Sequence, residues 1–248
     1  MQKTIPTPNS LPAEPIEVMQ RRELKYLLSP EQARLLKQAM AGRMEPDLYG
    51  KTTIASLYYD TPDHRLIRSS LEKPDFKEKL RLRSYGRASQ DSPVYLEMKR
   101  KALDTVYKRR VQTTVDRVPP FLQGADNALE PGQISRELSC FRDLYPNLGP
   151  SCMIIYDRTA YAELEGDLRL TIDENPRYRI QDLDLTRPMD GKPLLREGWS
   201  ILELKIQGAM PLWLARTLSQ GKIYKTSFSK YGEAYRRELS QRNLRSAG

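Results

Sequence analysis

Period-two alternation of apolar and charged residues is the feature that most constrains the fold of this chain. In residues 78–86, EKLRLRSYG, three cations alternate with two leucines. The cations are Lys79, Arg81 and Arg83. Successive side chains of an extended strand point to opposite faces, so this segment is predicted to have one apolar face and one cationic face. An ordinary surface strand mixes charges with Thr or Ser, so the cationic face requires a particular environment.

Similar segments follow one another along most of the chain, separated by turn residues, and they predict eight strands. The predicted strands are residues 16–28, 53–61, 76–86, 94–102, 104–115, 152–163, 168–180 and 199–208. So many mainly antiparallel strands favour closure, because a closed barrel has no exposed edge. The predicted fold is α+β and mainly β: an eight-stranded antiparallel β-tunnel with flanking helices and a C-terminal helix.

Helices are predicted at four places. Ser29 followed by Pro30 is a typical helix start, since Ser caps the first turn and proline suits the first helical position. Residues 133–144, 210–219 and 230–239 are predicted to form the others. We expect a disordered lead over residues 1–16, which are rich in proline, a single domain over 17–241, and a tail over 242–248.

Charged and polar residues occupy one parity in six of the predicted strands, and apolar residues occupy the other. They are Glu23, Lys25, Lys79, Arg81, Arg83, Glu97, Lys99, Lys101, Tyr156, Arg158, Arg169, Thr171, Asp173, Glu203 and Lys205. If the apolar faces pack under helices, the charged faces line a lumen. Crowded cations repel one another, so this lumen suits a polyanion such as a phosphate chain. The interspersed carboxylates suit a divalent cation, Mn²⁺ or Mg²⁺.

Composition agrees with an anionic partner. The formal charge is +9 and the pI is about 9.5, which favours phosphate, nucleotide, nucleic acid or an acidic membrane surface. The two cysteines, Cys140 and Cys152, are expected to be buried thiols because they form no disulfide framework and no metal-ligand spacing. Neither a signal peptide nor an integral membrane segment is recognisable, so a soluble, cytoplasmic protein is expected.

Eight motifs in order across residues 17–240 resemble the VTC domain. They are RRELKY, SLYYDTP, KLRLRSYG, LEMKRK, YDRTAY, LRLTIDEN, LELK and FSKYG. This family, the polyphosphate polymerase domain of the vacuolar transporter chaperone complex and its bacterial relatives, belongs to the triphosphate tunnel metalloenzymes (CYTH-like). The resemblance implies an eight-stranded tunnel that binds ATP, tripolyphosphate or polyphosphate together with a divalent cation.

The resemblance also implies roles for individual residues. Its phosphate-binding residues are Lys25, Arg81, Arg83, Lys99, Tyr156, Arg158, Lys205, Ser229 and Lys230. Catalysis is expected from Arg81, Arg83, Lys99, Arg158 and Glu203, with metal held by Glu203 and Glu23. Two departures stand out. Arg21 replaces the first glutamate of the E-x-E-x-K motif of the cyclase and thiamine-triphosphatase branch. Ser227 replaces a basic residue that some relatives carry, and whether Lys225 substitutes for it is open.

Other residues receive ordinary structural interpretations. Arg109 and Arg110 are expected on a solvated face, His64 exposed, and Asp60 in a turn before Thr61-Pro62. Tyr58, Tyr59, Trp199 and Trp213 are assigned to the core or the rim.

The predicted activity is metal-dependent phosphoryl transfer. Polyphosphate synthesis from ATP, with release of ADP, is the first choice on family grounds. A triphosphatase of the same fold and a non-catalytic polyphosphate-binding module remain alternatives. Nucleic acid is not expected as a partner, because the cations alternate with Leu and Ile and not with the exposed aromatic residues that stack on bases. The sequence does not identify a membrane-protein partner or an oligomeric state.

Overall fold

The structure of this protein is a computed structural model that describes residues 21–239, except 73 and 104. The predicted lead and tail, and the first part of the predicted first strand, lie outside the described residues. No helix in the described part is long and apolar enough to cross a bilayer.

Within the described residues, ten strands form one antiparallel sheet. They are β1 (Arg21–Leu28), β2 (Met44–Asp60), β3 (Phe76–Tyr85), β4 (Val94–Ala102), β5 (Thr105–Thr113), β6 (Gly149–Glu163), β7 (Arg169–Arg179), β8 (Lys192–Pro193), β9 (Ser200–Gln207) and β10 (Lys225–Thr226). The order across the sheet is β10-β1-β9-β7-β6-β2-β3-β4-β5, and β8 pairs with β7. The eight longer strands overlap the eight predicted segments, but β2 begins at Met44, nine residues before the predicted start at residue 53. The sequence pattern missed β8 and β10, because two residues are too few to show a period.

The sheet curls strongly but is not closed by backbone pairing. Its hydrogen-bonded order runs from β10 to β5, and the described residues contain no pairing that joins these ends. Yet the Nζ of Lys99 on β4 lies 3.5 Å from the Oε2 of Glu23 on β1, although five strands separate β1 from β4 in the sheet order. Side chains from distant strands therefore meet over one concave face, in place of the predicted hydrogen-bonded closure.

Six α-helices accompany the sheet in the part of the chain that the structure describes. They are α1 (Pro30–Met40), α2 (Arg65–Leu71), α3 (Val118–Leu122), α4 (Gln133–Leu144), α5 (Leu212–Gln220) and α6 (Lys230–Ala234). The predicted helices correspond to α1, α4, α5 and α6, the last of which continues as a π-helical turn over Tyr235–Leu239. Ser29 caps α1 as predicted, with its hydroxyl accepting from the backbone N of Gln32 at 3.3 Å.

Most helices cover the convex face of the sheet. Leu82 and Leu96, on the apolar parity of β3 and β4, belong to the same buried cluster as Phe121 and Phe141 of α3 and α4. A second cluster joins β1, β7 and β9 to α1 and α5. Burial of these apolar faces is the main stabilising contribution to the fold, and it leaves the charged parity on the concave face.

Helix α6 is different because it packs against the concave face. Tyr231 of α6 shares a buried cluster with Ile54 on β2 and with Ile154 and Tyr156 on β6. Tyr156 pairs with Ile54 across the strands, so this part of the concave face is apolar, which strand parity alone did not predict.

The cysteine prediction was right for one residue only. Cys152 is buried, but Cys140 on α4 is exposed.

Candidate functional site

Acidic and basic residues of neighbouring strands face each other on the concave face. Among the described residues, five such pairs are in direct register: Glu23 with Lys205, Lys25 with Glu203, Arg81 with Glu97, Arg110 with Glu97, and Arg158 with Asp173. Side chains of directly opposed residues lie on the same face. The structure therefore brings the predicted cations of β1, β3, β4 and β6 onto one surface, as the parity of the strands indicated.

Glu97 is the centre of the first cation cluster. Its carboxylate is 1 % exposed and accepts from the Nε of Arg81 at 2.8 Å, with the Nζ of Lys108 at 2.9 Å. The Nε atoms of Arg83 and Arg110 lie 3.7 and 3.6 Å from it. Burial by itself would raise the pKa of Glu97, but the charges of Arg81 and Arg83 and the contact with Lys108 lower it to about 2. Glu97 is therefore ionised and saturated with cations.

Arg110 was wrongly predicted to lie on a solvated face. It reaches Glu97, and its guanidinium carbon lies 3.5 Å from the ring centroid of Tyr95. Arg109 points to the opposite face, where its Nε donates to Glu137 at 2.7 Å. The alternation of Lys108 and Arg110 along β5 was the signal that could have placed both cations on the concave face.

Asp173 is the centre of the second cluster. Its buried carboxylate accepts from the Nε and Nη2 of Arg158 at 2.6 and 2.8 Å and from the Nζ of Lys230. That ammonium also lies 4.3 Å from the ring centroid of Tyr156. Burial would raise the pKa of Asp173, but the charges of Lys230 and Arg158 lower it. Asp173 thus links Arg158 on β6 to Lys230 at the start of α6.

Lys79 and Tyr58 lie between these clusters. Lys79 was predicted to line the lumen, but neither residue was predicted to bind phosphate or metal. Among the described residues Lys79 has no ion-pair partner, and burial together with the charges of Lys25 and Lys99 lowers its pKa to about 8. The Tyr58 hydroxyl accepts from the Nη1 of Arg81 at 3.1 Å. Burial would raise the pKa of Tyr58, but the charges of Arg81 and Lys79 lower it to about 8. The lowered pKa of Tyr58 shows an excess of positive potential, whereas that of Lys79 is due first to burial and then to the neighbouring lysines.

Glu23 and Glu203, the predicted metal ligands, contact each other. A hydrogen bond with Glu203 is the largest cause that lowers the pKa of Glu23 to about 2, with further help from the charges of Lys99 and Lys25. The described residues contain no group of three or more acidic, His or Cys side chains that could hold a metal ion. Two carboxylates still fit Mn²⁺ or Mg²⁺, because these ions take one or two carboxylates plus phosphate oxygens. Glu97 and Asp173 do not fit, since cations already surround them.

Three further residues considered in the sequence analysis are Lys205, Ser229 and Lys225. Lys205 is directly opposite Glu23 in the sheet. The Ser229 hydroxyl accepts from the backbone N of Gly232 at 3.2 Å, so it caps α6. Lys225 pairs with Tyr26, and Thr226 takes the place opposite Lys25. Lys225 therefore lies on the opposite face from Lys25.

Asp60 and His64 are more buried than predicted, and both make side-chain contacts with other segments. Asp60 is not a simple turn residue, because its carboxylate is 2 % exposed and accepts from the backbone N atoms of Leu66 and Ile67 at the start of α2. His64 is half-buried, with its Nδ1 3.2 Å from the Ser151 hydroxyl.

Solved structures share this fold at low sequence identity. A candidate adenylyl cyclase from Hippeastrum, described as having a dominant triphosphatase activity, matches with a TM-score of 0.51 and 18 % identity, over 87 % of this chain and 94 % of that chain. A candidate adenylate cyclase from Bacillus halodurans matches with a TM-score of 0.50 and 15 % identity, over 84 % and 92 %. These similarities concern the fold. No curated protein matches the sequence.

The family assignment rests on the sequence itself. Residues 20–238 match the VTC domain family. This range includes every strand and helix described above, apart from the last residue of the π-helical turn. The chain belongs to the VTC domain family, and its fold is that of the CYTH-like triphosphate tunnel enzymes.

Proposed function

We propose that this protein catalyses metal-dependent phosphoryl transfer from a nucleoside triphosphate bound on the concave face. The observation that carries the proposal is positive charge on the concave face that the neighbouring carboxylates do not neutralise. Lys79 has no counterion in the described structure. The Nε of Arg83 is buried and without a hydrogen-bond partner there. Buried donors of this kind are costly unless a ligand satisfies them.

A phosphate chain fits these donors. Guanidinium groups bind phosphate oxygens through two parallel hydrogen bonds, and lysines add compact charge. Arg81 and Arg158 are each oriented by one carboxylate, so their positions are set before the ligand arrives. Such preorganised cations stabilise the charge on the transferred phosphoryl group without rearranging during the reaction.

Glu203 and Glu23 would hold the divalent ion. When bound, that ion would neutralise phosphate oxygens and favour departure of the leaving oxygen. Lys99 and Lys25, which contact these carboxylates in the structure, would then be released to contact phosphate. The carboxylates thus have a role that a purely cationic surface could not provide.

Two acceptors are compatible with this surface. If the terminal phosphate of a growing chain attacks the γ-phosphorus, the products are polyphosphate and ADP, and membership of the VTC family supports this outcome. If water attacks, the protein is a triphosphatase, and the fold shared with the Hippeastrum protein supports that alternative. A non-catalytic polyphosphate-binding module would not need both Glu23 and Glu203.

The deciding experiment is product analysis. Purified protein is incubated with ATP and Mn²⁺ or Mg²⁺, and ADP, free phosphate and long-chain polyphosphate are separated and quantified. A polymerase gives ADP and polyphosphate in matching phosphate equivalents. A triphosphatase gives ADP and free phosphate. Binding of tripolyphosphate without either product would establish the binding module, and the absence of both binding and products would overturn the proposal.

A further inference from the structure

Two residues with no role in the proposed reaction, each from a different sequence motif, meet in the interior. Asp60, from SLYYDTP, accepts a hydrogen bond from the Tyr231 hydroxyl of FSKYG at 2.8 Å. Each residue is 2 % exposed. The same carboxylate accepts from the backbone N atoms of Leu66 and Ile67 at 2.8 and 3.0 Å. Asp60 therefore ties the end of β2 to both α2 and α6.

Tyr231 makes contacts through both its hydroxyl and its ring. Its hydroxyl lies 2.9 Å from that of Ser151, and its ring stacks on Tyr58 with a centroid distance of 4.5 Å. Burial and the charge of Asp60 raise the pKa of Tyr231, which keeps the phenol protonated and able to donate. The neighbouring Gly232 allows close packing, because a Cβ there would lie 2.8 Å from Leu71 of α2.

Lys230 precedes Tyr231 directly and is the residue by which α6 reaches the charged surface. Its ammonium bonds to Asp173 and lies over the Tyr156 ring. Helix α6 has only five residues, Lys230–Ala234. So short a helix has little stability of its own, and its position depends on tertiary contacts. The Tyr231 hydroxyl provides the buried polar contacts that specify this position.

We propose that the hydrogen bond between Asp60 and Tyr231 is a latch that holds α6 on the concave face and places Lys230 where it contacts a bound inorganic phosphate chain. Tyr231 is thus a positioning residue that acts through Lys230. The inference rests on the proposed function to the extent that phosphate chains bind on this face. It adds that their affinity depends on a contact made away from the charged surface.

The test compares two buried tyrosines by calorimetric titration with tripolyphosphate. Tyr231→Phe keeps the ring and removes the hydroxyl. Tyr145→Phe is the matched control, because the Tyr145 hydroxyl also donates to a buried carboxylate, that of Glu78 at 2.8 Å, but on the convex side. We expect Tyr231→Phe to weaken binding by about fivefold or more. Tyr145→Phe should lower stability without changing the affinity.

A double-mutant cycle separates positioning from general destabilisation. If Tyr231 acts through Lys230, adding Tyr231→Phe to Lys230→Ala should weaken binding little further. Asp60→Asn, which removes the charge of the acceptor, should reproduce the effect of Tyr231→Phe if the latter unfolds at the working temperature. Wild-type affinity in Tyr231→Phe, or full additivity with Lys230→Ala, would overturn the latch and leave the proposed function standing. Failure of the wild-type protein to bind tripolyphosphate would instead count against the proposed function.

Discussion

Arg158 and Asp173 face each other on β6 and β7 and form two hydrogen bonds, of 2.6 and 2.8 Å, although the Asp173 carboxylate is inaccessible to solvent. The same carboxylate binds Lys230. One buried anion therefore holds two cations, from a strand and from a helix, at fixed positions. Without it, both cations would repel each other in a partly buried site.

Asp173→Asn should destabilise the protein and make it more dependent on ligand. Removing one partner of a buried ion pair typically costs about 3–5 kcal/mol, and a phosphate chain can replace the lost negative charge. We expect a lower melting temperature without ligand and a larger rise on adding tripolyphosphate than in the wild type. The control is Asp190→Asn, whose ion pair with Arg179 has an exposed carboxylate. Equal ligand-induced shifts in both variants would contradict the prediction.

Arg81→Ala should lose phosphate affinity while it remains folded. Arg81 pairs with Glu97, but Glu97 keeps Arg83, Lys108 and Arg110 nearby, so no unpaired buried anion is created. Loss of one hydrogen bond to a charged group is worth about 1.5–3 kcal/mol, or about tenfold or more in the dissociation constant of tripolyphosphate.

The matched control for Arg81→Ala is Arg109→Ala, which removes an arginine from the convex face, where it pairs with Glu137. Calorimetry gives the affinity, and urea unfolding gives the stability. Severe unfolding of Arg81→Ala would mean that the pair of Arg81 and Glu97 is chiefly structural.

Tripolyphosphate should raise the melting temperature far more than sulfate at equal ionic strength. The folded sheet alone gathers the cations, so the ligand binds the native state in preference to the unfolded chain. At about 100 times its dissociation constant such a ligand adds about 2.7 kcal/mol to the free energy of unfolding. Differential scanning fluorimetry measures both anions. Equal shifts would indicate general screening of charge and no specific site.

Binding of tripolyphosphate should take up protons near pH 8.5. The pKa of Lys79 is lowered to about 8 from 10.5, and that of Tyr58 to about 8 from 10. Between about pH 8 and 10.5 the unfolded chain keeps a proton on Lys79 that the folded protein loses. The contribution of Lys79 to stability is therefore least favourable below about pH 8 and improves as the pH rises. A polyanion raises both pKa values, so its affinity should fall as the pH rises through 8.

Titrations in two buffers with different ionisation enthalpies measure this uptake. Lys79→Met should reduce it, whereas Lys37→Met, which removes an exposed lysine paired with Glu174, should leave it unchanged. Proton release on binding, or uptake that is unaffected in Lys79→Met, would contradict the assignment.

Glu203→Gln should separate binding from turnover. Gln keeps the size of the side chain but loses the charge that would hold a divalent ion. Lys25, 3.9 Å from the carboxylate, would also be freed for phosphate. We expect ATP binding without metal to be equal or tighter, and most turnover to be lost. Glu137→Gln on the convex face serves as the control. Wild-type turnover at limiting Mn²⁺ would make Glu203 only a salt-bridge partner.

Local sequence information was sufficient for most of the eight longer strands and for their charged face. The alternation of Arg81 and Arg83 with Leu80 and Leu82 places the cations on one side of β3 in any sheet, because the period of a strand is a property of its own backbone. The start of α1 is equally local, since Ser29 caps a helix that begins one residue later. The resemblance of the motifs to the family then indicated which of these cations are expected to bind phosphate.

The tertiary structure decided how the charges are paired. Glu97 and Asp173 were candidates for metal binding by residue type, and only the register and curl of the sheet showed that cations surround them. Alternation along β5 puts Arg109 and Arg110 on opposite faces, but only the pairing of β5 with β4 showed that Arg110 reaches Glu97. The contact of Asp60 with Tyr231 joins residues 171 positions apart. Such contacts depend on distant segments packing together, which no local period encodes, whereas the faces of the strands follow from the chain itself.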